Sequence, residues 1–97
     1  MLTRSARWAL PLLASTLMLG ACAGTKEVVA TKAAPEAIGP YSQAIRYGGL
    51  LFLSGQIPID PRTNQLMKDA SIDDQTRLVL DNLKAVLEAN GMTMANI

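Results

Sequence analysis

The run Leu50-Leu51-Phe52-Leu53 carries no polar residue on either face, and a strand of this kind folds only where both of its faces are covered. It follows Gly48-Gly49. On the other side of that pair Ser42 to Tyr47 alternates, with Gln43, Ile45 and Tyr47 on one side and Ser42, Ala44 and Arg46 on the other. Two strand-like runs joined by two glycines predict a hairpin, because glycine takes the positive φ values that primed two-residue turns need. The cover for it is a helix from about Ile72 to Asn90, in which Val79, Leu80, Leu83, Val86 and Leu87 fall within about 120° of arc and form one apolar face. One helix covers one face of a hairpin. The other face needs a second apolar surface, which in so thin a layer another subunit can supply.

The remaining punctuation is local. Val28 to Thr31 is a short β-prone stretch, and Ala34-Pro35 ends it, since proline has no amide donor and pushes its predecessor toward extended geometry. Gly39-Pro40 marks a bend that delivers Tyr41 to the entry of the next strand. After Leu53, the stretch Ser54 to Pro61 contains two prolines and a glycine and reads as a shaped loop, with Pro61 to Gln65 as a turn in which Asn64 takes the left-handed conformation. Ser71 with Asp74 resembles a capping box, Asp73 and Asp74 suit the positive end of the helix dipole, and Asn90-Gly91 supplies the stop.

Size and composition narrow the function classes. Of 97 residues, 76 remain if the first 21 are removed, enough for one domain with a marginal core. The single cysteine leaves no intramolecular disulfide, and the absence of histidine argues against zinc chemistry and Ser-His-Asp catalysis within this chain. Without Arg4 and Arg7 the nine basic residues fall to seven, against eight acidic ones, a net charge of −1 from Cys22 onward. The cations are scattered between carboxylates rather than clustered, so no nucleic-acid partner is expected.

The first 21 residues read as an address. Arg4 and Arg7 precede an apolar run from Trp8 to Leu19 that ends in Gly20-Ala21, the layout of a secretory signal and shorter than the roughly 18 to 20 residues of a spanning helix. Leu19-Gly20-Ala21-Cys22 looks like a bacterial lipobox, which makes Cys22 the expected acylated N-terminus of a protein held on the periplasmic side of a membrane. Ordinary signal cleavage, giving a soluble periplasmic protein, and a mitochondrial presequence are the alternatives. Residues 22–30 then form a tether and the start of the first strand, and residues 31–97 the domain.

Within that domain, Ala34-Pro35-Glu36-Ala37-Ile38-Gly39-Pro40-Tyr41-Ser42-Gln43-Ala44 and Leu51-Phe52-Leu53-Ser54-Gly55-Gln56-Ile57-Pro58-Ile59-Asp60-Pro61 closely resemble the Rid (YjgF) family. The likeness continues through Gln75-Thr76 and Asn82 to Ala89, as far as Gly91. It implies an α+β, chorismate-mutase-like domain, here its N-terminal part with a β-hairpin and a packed helix, incomplete without a C-terminal half. It also implies a homotrimer whose sheets line a central barrel, with a site in each cleft between subunits. The expected reaction is hydrolysis of reactive 2-imino (enamine) acids to 2-oxo acids and ammonia, with no cofactor and no metal.

Such chemistry needs a cation for the substrate carboxylate, a positioned water, and a group that manages the departing ammonia. In the family the first two depend on an arginine and a glutamate on late strands, positions this chain does not contain, so its catalytic residues are left unassigned and Arg46, Arg62, Arg77 and Glu88 are not put in their place. The positions that do match are substrate-binding ones. Tyr41 corresponds to a residue lining the cleft, and Ser54 and Gly55 to residues beside the bound carboxylate, where a hydroxyl and an amide can donate. Packing alone for Tyr41 and turn formation alone for Ser54-Gly55 are the plainer readings, and Gln56 is expected to stabilise the loop. Two other functions stand beside the deaminase: a non-catalytic small-ligand-binding or interaction module, and a ribonuclease, an older label of the family that the charge and the lack of histidine disfavour. Residues 22–97 alone are expected to be a fragment that neither folds cooperatively nor turns over substrate.

Overall fold

The computed structural model describes residues 24–97; the segment expected to be a signal sequence and Cys22 lie outside them. Three short strands, β1 (Glu27–Val29), β2 (Ala44–Tyr47) and β3 (Leu50–Leu53), form an antiparallel sheet in that spatial order. The β2–β3 hairpin turns at Gly48-Gly49, where Gly48 has φ +58°. A second, two-stranded ribbon pairs β4 (Ile59–Asp60) with β5 (Gln65–Leu66), and α1 (Ile72–Glu88) and a 3-10 turn (Met94–Asn96) follow.

The register sorts the two sheet faces. Val29, Ala44 and Leu53 lie in one row across the strands, and Val28, Ile45 and Phe52 in the next row on the opposite face. The first set faces α1: Ala34, Ala44 and Val86 form the buried centre, with Val29, Leu51, Leu53 and Ala85 packed against it. The opposite face has no cover among the described residues. Val28 is 67%, Phe52 58%, Leu50 62% and Tyr47 51% exposed. The two-sided apolar strand therefore has its helix on one side and an open apolar surface on the other.

Three expectations about the strands are corrected. β1 begins one residue earlier than expected and ends at Val29, because the Thr31 amide and carbonyl bond the Gln43 side chain instead of a strand. β2 begins at Ala44 rather than Ser42, since Gln43 turns its side chain inward, into the buried space beneath the 31–35 segment. The stretch read as loop contains β4. Pro58 donates nothing, yet its carbonyl accepts the Met67 amide at 2.8 Å, so a two-residue ladder fits between Pro58 and Pro61. Asn64, at φ +57°, makes the left-handed turn as expected.

The helix boundaries follow their signals. Ser71 Oγ accepts the Asp74 amide at 3.1 Å and donates to the Asp74 carboxylate at 2.7 Å, so the two side chains bond each other rather than completing a reciprocal box. At the far end Gly91 has φ +69°, the Gly91 amide bonds the Glu88 carbonyl and the Met92 amide bonds the Leu87 carbonyl, each at 3.0 Å, a Schellman arrangement. The buried face is rotated from the expected one. Leu80 is 45% exposed, whereas Asn82, at 2%, is buried and donates through Nδ2 to the Ile59 carbonyl at 2.9 Å, tying α1 to β4.

Replacing Asn82 with Ala leaves the buried Ile59 carbonyl without its donor. In the full-length protein Asn82→Ala is expected to lose about 1–3 kcal/mol in urea denaturation, against about 0.5 kcal/mol or less for the neighbouring exposed Asp81→Ala. Equal effects of the two substitutions would contradict the assignment.

Candidate binding site

Tyr41 and Ser54 lie 13 positions apart in the chain, and the fold sets their segments side by side. The bend at Gly39-Pro40 is closed by the Tyr41 amide donating to the Gly39 carbonyl at 2.8 Å, and the Tyr41 ring stands about half exposed. At the end of β3 the Ser54 amide donates to the Gln43 carbonyl at 3.0 Å, and the Ser54 hydroxyl donates to the Ser42 carbonyl. Ser42 is the residue next to Tyr41. The Tyr41 bend and the Ser54-Gly55 turn, the two walls of the candidate site, are thus stitched together by both donors of Ser54.

That arrangement alters the expected role of the hydroxyl. Its proton is committed to Ser42, so what it presents outward in this state is an oxygen with acceptor capacity. Gly55 is exposed, and among the described residues its amide donates to no acceptor. A Cβ added at Gly55 meets nothing within 4 Å, so within this chain no crowding requires a glycine there. Gln56, expected to stabilise the loop, makes one long contact from Nε2 to the Ser54 carbonyl at 3.4 Å.

The loop-stabilising amide is instead Gln43, which the strand alternation had placed on the Ile45 side and which no site reading included. It is 5% exposed. A glutamine is seldom buried unless its amide is satisfied, and nothing in its immediate neighbours announces the partners, which lie 8 to 12 residues upstream. Asn82 left a clearer trace, because it stands three residues after Val79 and four before Val86, on the packed side of the helix.

Arg46, Arg62 and Glu88 are engaged in contacts of their own. Arg46 donates to the Asn90 carbonyl at 2.7 Å, at the C-terminal end of the helix where a cation suits the dipole, while its Nε is buried without a partner among the described residues. Arg62 grips Asp60 through two bonds, Nε to Oδ1 at 3.1 Å and an Nη to Oδ2 at 2.8 Å. Hydrogen bonds from the Arg62 side chain, then from its amide, hold the Asp60 carboxyl below the usual carboxylate range. Arg77 lines a shallow hollow on α1 with Asp73, Thr76, Leu80 and Asp81, and Glu88 pairs with Lys84 at 3.7 Å. A hollow of about 380 Å³ lies beneath the 30–37 strap, lined by Thr31, Lys32, Glu36 and Gln43 among others.

Comparison with known proteins agrees with these segments. Residues 31–97 match the family model for endoribonuclease L-PSP, which spans both walls of the site. A RutC family protein of Pyrococcus horikoshii is 56% identical over 72 residues, covering 74% of this chain and 56% of its own length. Reactive Intermediate Deaminase A of Arabidopsis thaliana, a chloroplastic protein, is 41% identical over 83 residues, covering 86% of this chain and 44% of its own. The crystal structure of Escherichia coli TdcF with bound serine superposes with a TM-score of 0.65 at 43% identity, over 70% of this chain and 52% of that one. The chain spans about half the length of these relatives. It is an α+β chain with Rid-type neighbours, matched over residues 31–97, and it belongs to the endoribonuclease L-PSP family, that of the Rid proteins.

Proposed function

We propose that the complete protein hydrolyses reactive 2-imino (enamine) acids to the corresponding 2-oxo acids and ammonia, and that Tyr41, Ser54 and Gly55 line its substrate site. The observation that carries this reading is the joining of the Tyr41 bend to the Ser54-Gly55 turn through the Ser54–Ser42 hydrogen bond, within residues matched by the family. A relative is named a reactive intermediate deaminase, and another was crystallised with serine, whose carboxylate is the group such a site has to hold.

The reaction balances simply: water adds to the imine carbon, the carbon–nitrogen bond breaks, and the nitrogen leaves as ammonia once it has gained the protons of the water. In this reading the outward Gly55 amide donates to the substrate carboxylate. Ser54 joins it by rotating its proton from the Ser42 carbonyl to the anion, which exchanges a neutral hydrogen bond for a charge-assisted one of roughly twice the strength. In this reading the charge that completes the clamp and the group that positions the water lie in the part of the relatives that this chain does not match. RNA cleavage is less supported, since the seven cations from Lys26 to Lys84 are interspersed with eight acids.

The same reading makes the bare sheet face a subunit interface. Three copies that turn Val28, Ile45, Tyr47, Leu50 and Phe52 inward give each strand its second cover and bring a neighbour to each site. We further propose that Cys22 is acylated and holds the protein on the periplasmic side of a membrane.

Three measurements check these claims in the full-length protein. Ser54→Ala is expected to lower kcat/KM for 2-iminopropanoate roughly ten- to a hundredfold, and unaltered turnover would remove Ser54 from the site. Phe52→Asp places a charge in the apolar face and is expected to shift the sedimenting species from trimer to monomer; an unchanged trimer would put the interface elsewhere. Cys22→Ser is expected to move the protein from the membrane pellet to the soluble fraction, and retention in the pellet would rule out an anchor at this cysteine.

A further inference from the structure

Gln43 is one of two polar side chains buried among the described residues, and its amide is fully occupied. Oε1 accepts the Thr31 amide at 2.6 Å, while Nε2 faces the carbonyls of Thr31, Ala34 and Pro35 at 3.0, 3.3 and 2.7 Å. The backbone carbonyl of the same residue accepts the Ser54 amide. One residue therefore joins three segments: the strap from Thr31 to Pro35, the entry to β2, and the Ser54-Gly55 turn.

We propose that Gln43 is a positioning residue of the Tyr41–Ser54 site, one that sets the orientation of the Ser54-Gly55 turn without touching substrate. The proposal rests on the ligand-binding reading given above. Both acceptors of Ser54 belong to residues 42 and 43, whereas the β2–β3 ladder begins only at the Ala44–Leu53 pair. The sheet therefore does not fix those two carbonyls. The side-chain clamp does, because the strap at its other end is rigid: Ala34, 2% exposed, is packed with Ala44 and Val86 at the centre of the core. A clamp onto a mobile loop would transmit nothing. Here one end is held by packing and the other carries the acceptors of the turn.

Two variants of the full-length protein test this. Gln43→Leu keeps the approximate volume and removes the amide. Its expected signature, at temperatures where the variant is fully folded, is about tenfold faster hydrogen exchange of the Ser54 amide and about a tenfold higher KM for 2-iminopropanoate, with kcat within about threefold of the parent. Gln43→Glu adds a readout that packing alone does not move. At neutral pH its carboxylate faces three carbonyl oxygens with no proton to give; burial and those carbonyls raise its pKa, and once protonated it donates again to Pro35. Ser54 protection and KM are therefore expected to recover as the pH falls in Gln43→Glu and not in the parent. Lys32 and Glu36, the charged groups lining the same hollow, are common to both proteins.

A folded Gln43→Leu whose Ser54 exchange and KM match the parent overturns the proposal. Should Gln43→Leu fail to fold, a Ser54 protection factor that does not change with pH in folded Gln43→Glu overturns it equally, and acid recovery of that protection factor supports it. A parent that neither binds nor hydrolyses 2-iminopropanoate defeats the deaminase reading instead, and Ser54 exchange alone then decides whether Gln43 positions the turn.

Discussion

Among the described residues, one α-helix packed on one side of a three-stranded sheet is the constraint from which the rest follows. The buried centre it creates is small, with Ala34, Ala44 and Val86 at its heart, Ile59 and Leu87 also buried, and Asn82 pinning the helix to β4. Four large apolar side chains on the opposite face stay half exposed or more: Val28, Tyr47, Leu50 and Phe52. Burying the remaining half of each is worth about 3–6 kcal/mol in total, at about 1.5–3 kcal/mol per fully buried side chain. That is a large part of the 5–15 kcal/mol that typically separates folded from unfolded domains, so covering this face is a stability question before it is an architectural one.

The polar side of the design is concentrated where the sheet gives out. β1 stops at Val29 and β2 starts at Ala44, and the segment between them has no ladder to satisfy its backbone. The Gln43 amide takes over that task for Thr31, Ala34 and Pro35, while Ser54 supplies donors for the Ser42 and Gln43 carbonyls. A buried polar group is tolerated only when it is bonded, and here the bonding has a by-product. It brings an exposed aromatic ring and an exposed glycine to the open end of the β2–β3 hairpin.

Much of the local structure was legible because its causes are local. Gly48-Gly49 made the hairpin, Asn64 the left-handed turn, Ser71 the helix start and Gly91 its end, each through a conformational preference that acts within a few residues. The misreadings share a different cause. Gln43 was placed by alternation with Ile45 and Tyr47, and β4 was missed between two prolines; in both cases the deciding partner sits elsewhere in the chain, at Pro35 for Gln43 and at Met67 for Pro58, and Leu80, expected to be buried, is 45% exposed.

The sequence by itself determined the β2–β3 hairpin and the helix, the two-sided apolar demand of β3 and the family motifs that carry Tyr41, Ser54 and Gly55, since periodicity, turn chemistry and motif spacing are all written along the chain. Only the tertiary structure decided which side of the sheet the helix covers, which polar side chain is buried, and that the Ser54 proton is engaged with Ser42 rather than offered outward. These outcomes depend on distances between residues eight or more positions apart. No local preference encodes them, because a buried amide or hydroxyl is satisfied by whichever partner the packing brings within hydrogen-bonding reach.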